Sequence, residues 1–410
     1  MKLKIQILLL FSLVLSVTIV NAQVTVGRDD SPVEGALLDL KEDASTSMVT
    51  ARKGLGMPRV GLKSLTIVSP ETSLASTVEG ATGDWDPTTH VGLMVYNTNE
   101  DLCITPEPMY KGIYVWNETE WVYIGPTNKS LAVHELVDDR PQVHGTQTYA
   151  YRSFGSAGEW MLENLRYLPL DNSIEISRVG EENDAGWYRL KRYFYPQPMG
   201  GTETDYSKIP TWDLKQGVLY SYSAATGGQW DDVLGDYGNN ETEHVTDPTP
   251  GICPDGWRIP SDYEWSQLEE ELAKHPEEYS SVTTPTPWVD RRVGSQPTGT
   301  QDYYEIGGNR PTMGQSTGHS TTMKSPCPVA GVTGPVDGKS NIVIRGGFNA
   351  MLVGNAEYGA SQTYGNVFLF WSSSYQQRTN AHSRMGTEGS FAVIRLNWAP
   401  SALLSVRCKR

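Results

Sequence analysis

The chain has 410 residues, which is enough for two or three domains that each bury a core. Its formal net charge is −15, and binding to nucleic-acid phosphates needs a basic surface, so we expect no nucleic-acid partner. The 12 Trp and 21 Tyr outnumber the 7 Phe, a balance that suits half-exposed binding surfaces as well as cores.

The first 22 residues (1–22) predict a signal peptide that is cleaved on export. Lys2 and Lys4 precede an apolar run over 5–20, and the sequence VNA at 20–22 forms a small-residue cleavage site. The apolar run is short for a membrane anchor, and no cysteine follows the cleavage site, so a lipoprotein anchor is not indicated. We expect a secreted or outer-surface protein, and the choice among periplasm, outer face and medium stays open.

Residues 23–128 are predicted to form a small β-rich module. Short runs of β-branched and aromatic residues alternate with glycine turns, and helical periodicity is almost absent. The predicted strands cover residues 35–40, 91–97, 112–117 and 120–125, and a turn with an extended segment is predicted over 54–60. The last two strands form a hairpin across 117–119, and a linker over 126–130 leads to the second domain.

The sequences ALLDL, KGLGMPRV, VGLMVYNTN and GIYVWNETEWVYIG follow one another in this module. Their order resembles a module common at the N-termini of exported proteins of Gram-negative bacteria, and it is similar to segments of phage tail fibres. The resemblance covers roughly residues 25–125 and implies a stalk or head piece that can form homo-oligomers.

The second domain is predicted over residues 129–410 and carries an expanded segment near 281–340. That segment is rich in Thr, Pro, Ser and Gly and is too long for a simple connection, which leaves a binding loop or a disordered insertion. Strands are predicted over 148–155, 390–396 and 403–408.

One helix is predicted in this domain, just after the sequence GWRIP. Ser261 or Asp262 can cap its N-terminus. The apolar positions Trp265, Leu268 and Leu272 then fall on one face.

Five sequences run in order through this domain: WMLENLRY, GVLYSYSAA, GICPDGWRIPSDYEWSQL, LFWSSS and SVRC. They resemble the FISUMP domain family, abundant among exported proteins of Gram-negative bacteria, over about residues 134–410. Related sequences look C-type-lectin-like, in the broad group that includes formylglycine-generating enzymes. The resemblance implies an α+β, C-type-lectin-like, loop-rich C-terminal domain behind the β-rich N-terminal module, and it implies no established reaction.

Export permits disulfides, and the four cysteines allow three pairings. Cys253 and Cys408 both lie beside segments rich in Trp and Arg, so we predict a disulfide between them. Cys103 lies in the other module and Cys327 in a Pro/Gly-rich stretch, so their connectivity stays open, with free thiols as one outcome. No CxxC or closely spaced His pair indicates a zinc site.

The aromatic residues divide into core and ligand candidates. Trp160, Trp257, Trp265 and Trp371 fall inside the FISUMP-like sequences and are predicted to pack in the core. Aromatic rings beside polar residues in loops suit sugars, whose C–H faces stack while their hydroxyls take hydrogen bonds. The predicted ligand residues are Trp230, Trp288, Tyr303, Tyr304 and Trp398, and a wider set adds Trp187, Trp212 and Tyr364. Scattered surface aromatics are the alternative interpretation.

Residues 229–241 concentrate the oxygen ligands that calcium prefers, but their spacing is not that of an EF-hand. A solvated acidic loop is the favoured interpretation. We therefore predict no metal or cofactor, with calcium as the alternative.

These patterns predict a non-enzymatic surface protein for adhesion or recognition, with glycans as the favoured ligand class. A structural or assembly subunit of a surface appendage, bound to another surface protein, is the first alternative. A polysaccharide-acting enzyme is the second, and it needs two carboxylates at a set separation. Glu264, Glu269 and Glu357 are among the acids available, and nothing in the sequence singles out a pair.

Overall fold

A computed structural model of the chain describes residues 24–27, 29, 35–42, 51–103, 108–125, 130–180, 189–228, 249–286, 288, 318–377 and 380–410. These residues belong to two compact units. The first unit lies within 1–99 and 111–124, and the second within 100–110 and 125–410. The predicted signal peptide, 1–22, lies outside the described residues.

The first unit contains a parallel two-stranded ladder and a four-stranded sheet. Its strands are β1 (Val24–Val26), β2 (Leu38–Leu40), β3 (Arg59–Val60), β4 (Met94–Asn97), β5 (Gly112–Trp116) and β6 (Trp121–Ile124). The sheet has the order β3-β4-β5-β6, with β3 parallel to β4 and the other neighbours antiparallel. The predicted hairpin of β5 and β6 is confirmed, with Trp116 opposite Trp121.

One face of the four-stranded sheet packs onto an aromatic core. Val95, Tyr114, Trp116 and Trp121 point to this face and are at most 5% exposed. The two indole rings meet edge to face with centroids 5.6 Å apart. Trp121 Nε1 donates to Thr77 Oγ1 at 2.9 Å, so its buried donor is satisfied.

The second unit builds four small sheets within the described residues. Three strands at its start are β7 (His134–Asp138), β8 (Gln147–Ser153) and β9 (Glu159–Met161). The next sheets contain β10 (Glu175–Ile176), β11 (Arg192–Phe194), β12 (Leu219–Tyr220), β13 (Asn355–Glu357) and β14 (Ala360–Gln362). The longest strands form an antiparallel sheet of β15 (Val367–Gln377), β16 (Asn380–Thr387) and β17 (Val393–Trp398).

The expected α+β, C-type-lectin-like class is wrong, because the protein is mostly β-sheet with few helices. The α-helices are α1 (Tyr222–Ala225), α2 (Asp262–Lys274), α3 (Pro276–Tyr279) and α4 (Ser320–Met323). Among the described residues, only α2 exceeds four residues. Frequent glycine and proline interrupt helical periods elsewhere, so neighbouring segments pair as short strands instead. No described helix is both long and apolar enough to span a bilayer.

Helix α2 forms where the sequence predicts it. Ser261 is the N-cap: its Oγ accepts from the backbone N–H of Glu264, whose carboxylate accepts from the N–H of Ser261. This capping box satisfies two of the N–H groups that a helix start leaves without partners. Trp265, Leu268 and Leu272 are fully buried on one face of the helix.

The four predicted core tryptophans are at most 3% exposed and lie in two hydrophobic clusters. Trp257 and Trp371 belong to the first cluster, and Trp160 and Trp265 to the second. Trp265 Nε1 donates to the carbonyl of Trp371 at 3.2 Å, which links the clusters. Trp371 Nε1 donates to the carbonyl of Tyr220 at 2.7 Å.

The C-terminal segment 403–409 runs through this core as extended chain. The prediction of a continuous strand over 403–408 is wrong, since successive residues pair with different elements and no two consecutive pairs share a partner strand. Its isolated bridges join Leu403 to Ala356, Leu404 to Tyr220, Ser405 to Phe370, and Lys409 to both Trp160 and Arg258. The predicted strand at 390–396 starts later, at Val393.

Two disulfides lie within the second unit. Cys253 and Cys408 are bonded, with Cα atoms 5.9 Å apart, and join the turn before α2 to the C-terminal segment. Cys103 and Cys327, left open by the sequence, are bonded to each other, with Cα atoms 5.3 Å apart. The described residues contain no free cysteine.

Candidate functional site

The predicted ligand residues are placed differently by the structure. Trp230, Tyr303, Tyr304 and Trp187 lie outside the described residues. Trp288 is half-buried with its ring 5.7 Å from that of His319, and Trp398 packs against the first hydrophobic cluster. Tyr364 is 8% exposed, and its hydroxyl donates to the carbonyl of Ala330 at 2.9 Å. Trp212 also packs against the first hydrophobic cluster, and among the described ligand candidates it alone belongs to a group of four mutually contacting aromatic rings.

We call that group the aromatic cluster: His144, Tyr195, Tyr206 and Trp212. Each ring contacts the other three, with centroid distances from 4.9 to 5.9 Å. Most pairs meet at steep angles, such as 79° between His144 and Tyr206 and 68° between Tyr195 and Trp212. Edge-to-face contacts of this kind are favourable, so the rings hold one another in position.

Local hydrogen bonds fix these rings. Tyr195 follows β11, and its hydroxyl lies 3.4 Å from His144 Nε2. Trp212 Nε1 donates to the carbonyl of Gly217 at 2.9 Å, which sets the orientation of the indole. Tyr206 begins a short 3₁₀ turn whose N-cap, Asp205, accepts from the N–H of Ser207. The cluster is therefore formed before any ligand arrives.

The cluster has a closed base and an open edge. Tyr195 is 2% exposed and forms the base, whereas Tyr206 is 40% exposed and His144 and Trp212 are half-buried. Burial, and then the charge of Arg166, lowers the pKa of His144. A lowered pKa favours the neutral imidazole at pH 7, and Arg166 and Lys208 supply the positive charges near the cluster.

Two carboxylates accompany the open edge. Backbone N–H groups of Asp205 and Thr204 lower the pKa of Glu203, and hydrogen bonds from Ser207 lower the pKa of Asp205. Both groups are thus ionised at neutral pH. Glu203 accepts from the backbone N–H groups of Thr204 and Asp205, and Asp205 accepts from Ser207 and lies 3.3 Å from Lys208 Nζ.

Sequence reasoning found one member of this cluster and missed three. Trp212 stands beside Asp213 in a loop, which is the signal that drew attention to it. His144 is 51 residues from Tyr195, and nothing in the intervening sequence indicates that they meet. The acidic cap of Tyr206, Asp205, was the available signal for a second ring in the same loop.

A cavity of about 530 Å³ is a second concave feature of this unit. Arg178, Arg192, Glu357 and Tyr358 lie on its wall. Burial raises the pKa of Glu357, and Arg192 pairs with Glu175. Tyr358 and Gly359 have φ values of 52° and 70°, which is the two-residue turn that a β13–β14 hairpin favours.

The other acids considered from sequence are engaged in ion pairs. Glu264 contacts Arg258 and lies 2.9 Å from Lys409 Nζ. Glu269 lies 2.5 Å from Arg384 Nε and 2.9 Å from His319 Nε2, with all three side chains fully buried. These carboxylates hold α2 against neighbouring elements.

Within the described ranges, no three or more His, Cys, Asp or Glu side chains are grouped as a metal ion would need. The acidic loop considered for calcium, residues 229–241, lies outside those ranges.

Comparison with known proteins adds two matches. A family model described as the Fibrobacter succinogenes major domain matches residues 156–410, and one described as a phage tail like trimerisation region matches residues 25–134. No curated protein and no solved structure matches the chain. The two matches indicate a surface or structural protein, and the second is compatible with homo-oligomerisation through the N-terminal module. Because the first match covers more than half of the 410 residues, the chain belongs to the Fibrobacter succinogenes major domain family.

Proposed function

We propose that this is an exported surface protein that recognises glycans through the aromatic cluster, as a homo-oligomer assembled through its first unit. The observation that carries the proposal is the set of four mutually contacting rings, open at Tyr206 and flanked by ionised Glu203 and Asp205. The trimerisation match over 25–134 supports the oligomer.

Sugars bind to proteins through two kinds of contact. Apolar C–H faces of a pyranose stack on aromatic rings, while the hydroxyls around the ring edge need acceptors and donors. The aromatic cluster supplies rings at Tyr206 and Trp212, and Asp205 supplies an acceptor next to Tyr206. A single shallow site of this kind binds weakly, and several copies on one oligomer raise the overall affinity through effective concentration.

Export and the absence of catalysis are further parts of this proposal. The predicted signal peptide supports export to the cell surface or the medium. The buried ion pairs of Glu264 and Glu269 leave these acids poorly placed to form the carboxylate pair that a glycosidase needs. The FISUMP resemblance over about 134–410 and the family match over 156–410 cover nearly the same residues, and we infer that both describe one domain.

The test is a broad glycan array probed with the mature protein, with and without calcium. Tyr206→Ala removes the most exposed ring of the cluster and should weaken binding to the hits by about 1 to 2 kcal/mol, or roughly 5- to 30-fold. Tyr358→Ala is the matched control, because Tyr358 is an exposed tyrosine of the same unit (63%, against 40% for Tyr206) that lies outside the aromatic cluster. Equal losses for the two variants, or no hits above background, would count against glycan recognition.

A structural subunit is the second candidate function, favoured by the trimerisation match. In that case the second unit binds another protein chain of a surface assembly. A blank array combined with specific co-purification of a surface protein, lost in Tyr206→Ala but not in Tyr358→Ala, would support it.

A further inference from the structure

The four-stranded sheet of the first unit has two apolar faces. Side chains alternate between the faces along β4, β5 and β6, and one face packs on the aromatic core described above. The opposite face carries six apolar residues: Met94, Tyr96, Ile113, Val115, Val122 and Ile124. We call this set the outer apolar face.

The strand register makes the outer apolar face continuous. Met94 lies opposite Val115, which lies opposite Val122. In the same way Tyr96, Ile113 and Ile124 form a second row across the three strands. Directly opposed side chains in a sheet lie about 5 Å apart, so the two rows of three form one patch.

The patch is open to solvent in the single chain. Met94 is 42% exposed, Tyr96 38%, Val122 37% and Ile124 51%, and the two residues of the central strand are half-buried. An antiparallel sheet with one solvated face normally alternates apolar and polar residues. Continuous apolar strands such as MVYN, GIYVW and WVYI are typical of a sheet covered on both faces.

A second ladder of the same unit repeats this feature. In the parallel pair of β1 and β2, Val24 lies opposite Leu38 and Val26 opposite Leu40. All four side chains are between 40% and 56% exposed. Parallel strands are almost always buried on both faces, so this ladder also lacks the cover that its geometry calls for.

We propose that the outer apolar face is the surface through which three copies of this chain associate, each sheet packing against the equivalent sheets of two other copies. This inference rests on the oligomer in the proposed function and goes beyond it by naming the surface. The occupant is a copy of the same chain because the trimerisation match, 25–134, contains every residue of the face. Three equivalent apolar faces turned toward one three-fold axis close the assembly and leave no patch exposed.

Charge distribution agrees with this arrangement. The chain carries a net charge of −15, so copies repel one another and must meet where acidic groups are absent. The six residues of the face are uncharged. Charged residues border the face: Arg59 of β3 lies opposite Tyr96, with its guanidinium 5.9 Å from the Tyr96 ring, and the exposed Glu118 and Glu120 lie in the β5–β6 turn that precedes Val122.

The test is the molar mass of the mature protein by light scattering and sedimentation equilibrium. The wild type should be a trimer. Val122→Glu places a charge on the face and should raise the dissociation constant of the trimer by at least about 10-fold. Val68→Glu is the matched control, since Val68 is 62% exposed in the same unit but outside the face, and it should leave the trimer unchanged.

Val122→Thr keeps the shape of the side chain and should weaken the trimer several-fold, which covers the case in which Val122→Glu does not fold. A monomeric, dimeric or tetrameric wild type would overturn the trimer itself. A trimeric wild type in which Val122 and Val68 variants behave alike would overturn the choice of face. Binding of a monovalent glycan to the Val122 variants depends on the aromatic cluster and not on the trimer. A failure of glycan recognition can therefore be distinguished from a failure of the proposed trimer interface.

Discussion

Loss of the Arg384 side chain should destabilise the second unit far more than loss of an exposed charge on helix α2. Arg384 lies on β16 with 0% exposure and contacts Asp262, the first residue of α2. Its Nε lies 2.5 Å from Glu269 Oε1, about two turns further along α2, and its Nη2 donates to Ser266 Oγ at 3.2 Å. One guanidinium thus contacts two buried carboxylates and ties the helix to the long sheet. Arg384→Met keeps the length of the side chain and removes the charge.

The loss of stability in Arg384→Met depends on the partners that Asp262 and Glu269 keep. Removing one partner of a buried ion pair typically costs about 3 to 5 kcal/mol, because the other charge is left uncompensated. After Arg384→Met, Asp262 still has Arg395 Nε at 3.1 Å, and Glu269 still has His319 Nε2 at 2.9 Å. Because these contacts remain, we expect the free energy of unfolding to fall by about 3 kcal/mol, the lower end of that range. At about 3 °C per kcal/mol, the melting temperature of this unit should fall by about 9 °C.

Thermal unfolding of the mature protein, followed by tryptophan fluorescence, measures this loss. Lys274→Met is the matched control: Lys274 is on the same helix and pairs with Glu270 at 2.6 Å, but its side chain is 51% exposed. Exposed pairs of this kind contribute at most about 0.5 kcal/mol, so the control should shift by less than about 2 °C. Adding Asp262→Asn and Glu269→Gln to Arg384→Met should recover part of the loss. Equal shifts for Arg384→Met and Lys274→Met would refute the reasoning.

Two other predictions concern the same unit. Replacing Cys253 and Cys408 together by Ser removes a disulfide between residues that are 155 apart in sequence. The free energy of unfolding should fall by about 2 to 5 kcal/mol, and an unchanged melting temperature would contradict this. Burial disfavours the charge of Asp262, but Arg384 and Arg395 outweigh it and hold the pKa of its carboxyl well below the ordinary value. A lowered carboxyl pKa stabilises the fold above about pH 4, and the gain is lost as the pH falls further. The melting temperature of the wild type should therefore fall more steeply between pH 4 and pH 2 than that of Asp262→Asn, and parallel curves would argue against this role.

Local signals in the sequence predicted local structure. The capping residues Ser261 and Glu264 and the spacing of Trp265, Leu268 and Leu272 are sufficient to predict α2, because helix periodicity and capping act within a few residues. The β5–β6 hairpin is likewise a contact between neighbours in sequence. Elements that are formed by residues close together in sequence could therefore be predicted without the tertiary structure.

Most features assembled from distant segments could not be predicted, although the predicted disulfide between Cys253 and Cys408, 155 residues apart, is confirmed. The segment 403–409 looks like a strand, but its bridges lead to five different places in the chain, so no single partner strand exists. Cys103 and Cys327 are 224 residues apart, and sequence spacing carries no information about such a pair. The resemblance that implied a C-type-lectin-like class did not predict the predominance of short sheets.

The candidate site shows the same division. Trp212 was recognised because its polar neighbours are adjacent in sequence. His144 enters from the turn between β7 and β8, and Tyr195 from the end of β11, so both reach the aromatic cluster only through tertiary structure. The sequence therefore identified one residue of the aromatic cluster, and the other rings could be identified only from the tertiary structure.

Glycan recognition by the aromatic cluster is most directly tested by the affinity of one glycan for three forms of the mature protein. Calorimetric titration of a glycan identified on the array should be compared for the wild type, Tyr206→Ala and Tyr358→Ala. We expect a roughly 5- to 30-fold weaker dissociation constant for Tyr206→Ala and no change for Tyr358→Ala. Wild-type affinity in a folded Tyr206→Ala variant would contradict it.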